Sequence, residues 1–250
     1  MISPNRAAHV LILGCGRSGT SIFGELFEHL PSYSYLSEPA YEEIKQLDYS
    51  TPQAFKVPRE SPAYPPSPGL SFPLEDLLVS IPRPLKIFWQ LRHPLDTICS
   101  LRVGISRNWG HHPRPHDWQS WLSRPLLEQC AHHWNYLNTV GYQQIAPLAT
   151  VCTFEQMIAD PMAFATEICA KIGLAADSCQ EELASWSKRV QNTNNQQFVE
   201  AETSKAYSTR DHKVRVERWK ENLSPEQVRQ ISPMIEETAR SFGYEWQAMI

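Results

Sequence analysis

The sequence predicts an α/β fold of three layers, α/β/α, around a central, mainly parallel sheet. Short apolar runs alternate with stretches of helical spacing, which is the pattern of strands joined by crossover helices. The first apolar run ends in a glycine-rich turn that opens a helix, a P-loop-like strand–phosphate loop–helix. No internal repeat interrupts the alternation.

His9–Leu13 is a short continuous apolar run that stops at Gly14-Cys15-Gly16, as a buried parallel strand does. A helix follows, with Ile22, Phe23, Leu26, Phe27 and Leu30 at helical spacing and Pro31 as its stop. Residues 33–36 read as a second short strand leading into Ser37-Glu38-Pro39. Residues 52–84 hold nine prolines and little periodicity, so an irregular proline-rich insertion at about 50–84 is expected, a lid or a mobile segment. Residues 86–91 supply the third strand, and Pro94–Ile105 a helix with proline in its first turn. A long helix is predicted over about 126–145, a fourth strand over 148–153, and helices over about 161–172 and 177–190. Ser224-Pro225-Glu226-Gln227 carries a capping-box pattern; Pro233 should break or kink that helix, and Gly243 can end it.

The 250 residues suit one domain spanning 1–250, and 42% hydrophobic residues suffice for a sizeable core. A net charge of −4 disfavours nucleic acid or a heavily sulfated polymer as partner. No apolar run is long enough to span a bilayer, and the one near the start is too short for a signal-peptide core, so a cytoplasmic protein is expected, monomer or homodimer. The six cysteines are scattered and form no CxxC pair, which reads as reduced, buried thiols.

The sharpest feature is Gly14-Cys15-Gly16-Arg17-Ser18-Gly19-Thr20-Ser21 between a strand and a helix. Glycines let the backbone turn its N–H groups inward, and the helix beginning near Gly19 adds the positive end of its dipole. Ser18, Thr20 and Ser21 offer hydroxyls, and Arg17 a permanent forked charge suited to phosphate. The spacing from Gly14 to Gly19 fits a nucleotide-triphosphate loop, but Thr20 stands where that loop needs lysine. A kinase or nucleotide hydrolase is therefore the lesser reading.

With these residues the chain resembles the PAPS-dependent sulfotransferases, which take a sulfuryl group from 3'-phosphoadenosine 5'-phosphosulfate (PAPS). The stretch Gly16 to Ser21 is similar to their 5'-phosphosulfate loop, in the version with arginine where other members have lysine. Leu91-Arg92-His93-Pro94, with Ser100 eight residues after Arg92, resembles their 3'-phosphate motif. Thr153-Phe154-Glu155-Gln156 is similar to the segment beside the adenine, with Phe154 where tyrosine is usual. The stretch from Val216 to Pro225 resembles the family's C-terminal W-K-x-x-L segment; upstream, Lys213 or Arg215 stands near the position of its phosphate-binding Arg-Lys-Gly, without the glycine. The resemblance implies in-line sulfuryl transfer from PAPS, with no metal, to a hydroxyl or amine of a small-molecule or glycan acceptor. The mainly parallel sheet read from the alternation places its ligands beyond the carboxyl ends of the strands. A non-catalytic nucleotide-binding domain of the same descent stays open.

Cofactor contacts are then expected from Gly16, Arg17, Ser18, Gly19, Thr20, Ser21, Arg92, Ser100, Phe154, and Lys213 or Arg215. Arg17 is the candidate for stabilising the leaving phosphate, because an arginine acts by charge rather than as an acid. Some members of the family place a histidine base between the two phosphate motifs; between His29 and His93 there is none here, so Glu38 is the candidate base by resemblance. Residues 108–118 carry three histidines and two tryptophans and read as an acceptor-binding loop or a plain surface loop rather than a metal site.

Overall fold

The computed structural model describes residues 7–192 and 216–246. Five strands form one sheet in which every pairing is parallel, in the order β2-β3-β1-β4-β5. They are β1 (His9–Leu13), β2 (Ser34–Ser37), β3 (Gln53–Lys56), β4 (Leu85–Leu91) and β5 (Ala149–Thr153). β1 lies at the centre and all five of its residues are buried. Val10 and Ile12 face one apolar cluster, Leu11 and Leu13 another, as the pleat of a strand covered on both faces requires.

One cover layer holds α1 (Thr20–His29), α8 (Phe154–Ala159), α9 (Pro161–Ile172) and α10 (Gln180–Asn192), with Phe23, Phe27, Phe164 and Trp186 buried together. The other side receives α2 (Tyr41–Gln46), α3 (Leu74–Ser80), α4 (Pro94–Ile105), the four-residue α5 (Trp118–Trp121) and α6 (Leu126–Tyr136). A π-helical turn over Leu137–Gly141 joins α6 to α7 (Tyr142–Ile145), so the helix predicted over about 126–145 exists with a local widening. There Asn138 accepts from the Trp89 indole at 3.0 Å and anchors the turn on β4. α11 (Trp219–Asn222) and α12 (Pro225–Ser241) close the chain against α4 and α6.

Two expectations need correction. The insertion at about 50–84 is not irregular throughout: it contains β3 and α3. β3 is sheltered between β1 and β2: the Gln53 backbone N–H donates to His9 Nδ1 and its side-chain amide to the Asp48 carbonyl, and Lys56 is held in an ion pair. Nor does Pro233 break its helix. It sits on the exposed face of α12, where water can take the carbonyl four residues back, while Ile231, Ile235 and Ala239 stay buried on the other. The Ser224–Gln227 capping box forms as expected, and Gly243, at φ 84°, ends the helix by letting the Tyr244 N–H reach the Ala239 carbonyl.

Candidate active site

The glycine-rich turn lies at the carboxyl end of β1, in the middle of the sheet. At Gly14, φ 150°, a Cβ would stand 2.3 Å from the Gln90 carbonyl, so only glycine lets the loop leave the sheet this close to β4. Gly19 takes φ 92° and starts α1 without a side-chain cap, leaving the first N–H groups of the helix directed at the loop. Thr20 and Ser21 begin α1, and Ser18 is fully buried with its hydroxyl bonded to no described residue. A buried hydroxyl in that state is costly unless a ligand completes it.

The two phosphate motifs meet. Arg17 Nε donates to Ser100 Oγ at 2.9 Å, across from α4, and Arg92 Nη1 donates to the Arg17 carbonyl at 3.2 Å. Phe154 is 2% exposed, with the Arg92 guanidinium 4.4 Å above its ring and its edge against Gly19. It holds Arg92 in place by a cation–π contact. Lys213 and Arg215 lie outside the described residues.

Three residues beyond the individually named candidates complete the site. Arg218 is buried beside Arg92 and Arg17. Burial first, then the neighbouring guanidinium groups, pulls the pKa of Arg17 and of Arg218 below the arginine range. Asp96 fixes this corner: its carboxylate accepts the N–H groups of Glu217 and Trp219, both at 2.9 Å. His93 stacks on Trp219 from the same side.

Lys56, at the end of β3, is the second. Its buried ammonium donates to Ser21 Oγ at 3.1 Å and pairs with Glu38 Oε1 at 2.6 Å, while the Glu38 side chain remains 54% exposed. The third is His111, which arrives from the histidine-bearing loop after α4. Three of the residues around this centre have positive φ without being glycine: Arg17 (72°), Glu38 (53°) and Val57 (38°). Each follows a different strand, and strained backbone of this kind collects at functional sites.

A cavity of about 490 Å³ opens here, with Gly16, Thr20, Glu38, Pro58, Glu60 and His111 in its wall. A second, of about 480 Å³, is walled by Pro66, Gly69, Pro113, Arg114, His116 and Tyr136. Glu60 lines both and pairs with His112 at 3.3 Å. Among the described residues no group of three metal-ligating side chains converges, and no helix is long and apolar enough to cross a membrane.

A family model described as the sulfotransferase domain matches residues 7–243. Among curated proteins none matches. Among solved structures, the sulfotransferase domain from the curacin biosynthetic pathway is similar at TM-score 0.61 and 11% identity, covering 96% of this chain and 99% of that one. A mouse sulfotransferase complexed with PAP gives 0.56 and 16%, over 94% and 85%. A sulfotransferase from Mycobacterium avium gives 0.54 and 12%, over 98% and 79%. With that domain covering nearly the whole sequence, and its two phosphate motifs joined through Arg17, Arg92 and Ser100, the chain belongs to the sulfotransferase family.

Proposed function

We propose that this chain binds PAPS across the carboxyl ends of β1 and β4 and passes its sulfuryl group to a hydroxyl or amine of a small-molecule or glycan acceptor. The observation that carries the donor assignment is the convergence of Arg17, Arg92 and Arg218 on the loop whose Ser18 hydroxyl awaits a partner. Gly16, Ser18, Gly19, Thr20 and Ser21 would hold the 5'-phosphosulfate. Arg92, Ser100 and Arg218 would grip the ribose phosphate. The similarity to a sulfotransferase complexed with PAP supports the same donor.

In the transfer, the acceptor oxygen forms a bond to sulfur as the bond from sulfur to the bridging oxygen breaks. The electron pair leaves on the 5'-phosphate, where Arg17 stabilises it. Glu38, at the opposite wall, takes the acceptor proton, and Lys56 holds that carboxylate in position. The two chambers walled by the proline-rich segment and by the loop of residues 106–117 suit an elongated acceptor, with Glu60 between them. Six unpaired, buried cysteines fit a reducing compartment, which supports the cytoplasm.

The test is melting with adenosine 3',5'-bisphosphate (PAP) and turnover of labelled PAPS with an acceptor panel. PAP should raise the melting temperature of the wild type. Arg92→Ala should weaken that shift, and Arg17→Ala should abolish transfer. No shift in the wild type, or an undiminished one after Arg92→Ala, would remove the donor assignment.

A further inference from the structure

His111 lies in a slot made by two glycines of separate elements. A Cβ at Gly104, inside α4, would stand 2.2 Å from its Nε2, and one at Gly16, in the phosphate loop, 3.2 Å from its Nδ1. Glycine inside a helix costs roughly 0.5–1 kcal/mol relative to alanine, so the room at Gly104 has to be maintained against propensity. What occupies that room is a ring whose nitrogens form no hydrogen bond to any described residue, in the wall of the cavity that also holds Glu38. The loop carrying it is braced from behind: the Trp109 indole donates to His133 Nδ1 at 3.1 Å, and the His133 ring lies 6.1 Å from that of His111.

The charges around the ring are Arg17 from the phosphate loop, Glu38 from the end of β2, and His112 beside it; His133, from α6, is kept neutral by burial. Burial, then Arg17 and His112, press the His111 pKa down to about 4 against the opposing pull of Glu38. The imidazole is thus neutral at ordinary pH and points its Nδ1 edge at the loop where the sulfuryl group would lie.

We propose that His111 hydrogen-bonds the attacking oxygen and orients it between Glu38 and the phosphosulfate loop. This rests on the donor reading above and adds a residue to it. The acceptor O–H gives its proton to Glu38, one lone pair forms the bond to sulfur, and a second accepts the Nδ1–H of His111. The imidazole remains neutral throughout, so it orients the nucleophile without adding charge to the acceptor site.

The experiment uses water as the attacking oxygen, so it needs no knowledge of the natural acceptor. Release of labelled sulfate from PAPS is measured for the wild type, His111→Phe and His111→Asn, beside the PAP melting shift of each. The phenylalanine fills the slot without a polar edge; the asparagine offers an amide near the Nδ1 position. Loss of one hydrogen bond to a charge-developing oxygen should slow His111→Phe by roughly tenfold to a hundredfold, with the PAP shift unchanged. His111→Asn should recover most of that rate and keep the wild-type pH profile, because its proton still goes to Glu38. The proposal is overturned by a His111→Phe rate within about threefold of wild type, by His111→Asn as slow as His111→Phe, or by a wild type no faster than buffer. If the wild type shows no PAP shift at all, the donor reading fails instead.

Discussion

Asp96→Asn should be far more damaging than the loss of one charge on a helix's first turn usually is. Asp96 is fully buried, and its two oxygens hold the N–H groups of Glu217 and Trp219, each at 2.9 Å and more than 120 residues away in sequence. Hydrogen bonds to a charged acceptor contribute roughly 1.5–3 kcal/mol each. Asparagine keeps one acceptor and turns an NH2 toward the other N–H, so one bond is lost and a donor–donor contact takes its place. The cost is then roughly 2–4 kcal/mol, which for a chain of this size lowers the melting temperature by about 4–16 °C. The same change loosens Trp219 from His93 and Arg218 from Arg92, so the PAP-induced shift should shrink as well. Thermal melts of the two proteins, with and without PAP, make the measurement. A variant melting within about 2 °C of wild type would refute the claim that this carboxylate secures the C-terminal segment to the phosphate site.

Glu38→Gln should retain PAP binding while transfer falls by roughly a hundredfold or more, read as single-turnover rate; an unchanged rate would move the proton to another group. Lys56→Met should also slow transfer, yet leave stability within about 1 kcal/mol, because the Glu38 it abandons is exposed enough to be solvated; a collapse of the fold would contradict this. Stability should fall as pH drops from about 6.5 toward 4: His93 and His111 have folded pKa values of about 4, so the unfolded chain binds protons first in that window. Glu155, raised by burial, acts in the opposite sense, and melts of His93→Asn and His111→Asn across the window should show a shallower slope than wild type.

The elements legible in the sequence are those whose local chemistry agrees with their place in the fold. β1, its glycine turn and α1 follow from an apolar run, two φ-demanding glycines and helical spacing, and the helix at Pro94–Ile105 falls within its predicted bounds. β3 was hidden because its four residues, Gln53 to Lys56, begin and end polar and sit among prolines. Only the neighbouring strands bury them, and Lys56 reaches the site through that burial. His111 was legible only as one of three histidines in a candidate acceptor loop; which of them reaches the site depends on the packing of that loop against α4, of which Gly104 inside an otherwise good helix is a local trace. Arg218 lies in the W-K-x-x-L segment, where the sequence favours Lys213 or Arg215 upstream as the phosphate-binding cation.

The placement of charge explains why these residues had to come from so many elements. Arg17, Arg92 and Arg218 stand on the side of β1 that faces β4, where a twice-phosphorylated nucleotide would need them. Glu38, Lys56 and Glu60 stand toward β2 and β3, where under the proposed mechanism an acceptor would lose its proton. A crossover connection alone can bring such distant segments side by side, because each parallel strand delivers one loop to the same edge of the sheet. The seam between the two halves is the loop after β1, and Arg17 holds a left-handed backbone there while bonding to Ser100 of α4. A sulfuryl group crossing from nucleotide to acceptor would travel over that seam. The strain at Arg17, Glu38 and Val57 therefore sits at the carboxyl ends of β1, β2 and β3, where the backbone has to leave the sheet sharply enough to face the ligand rather than follow the strand.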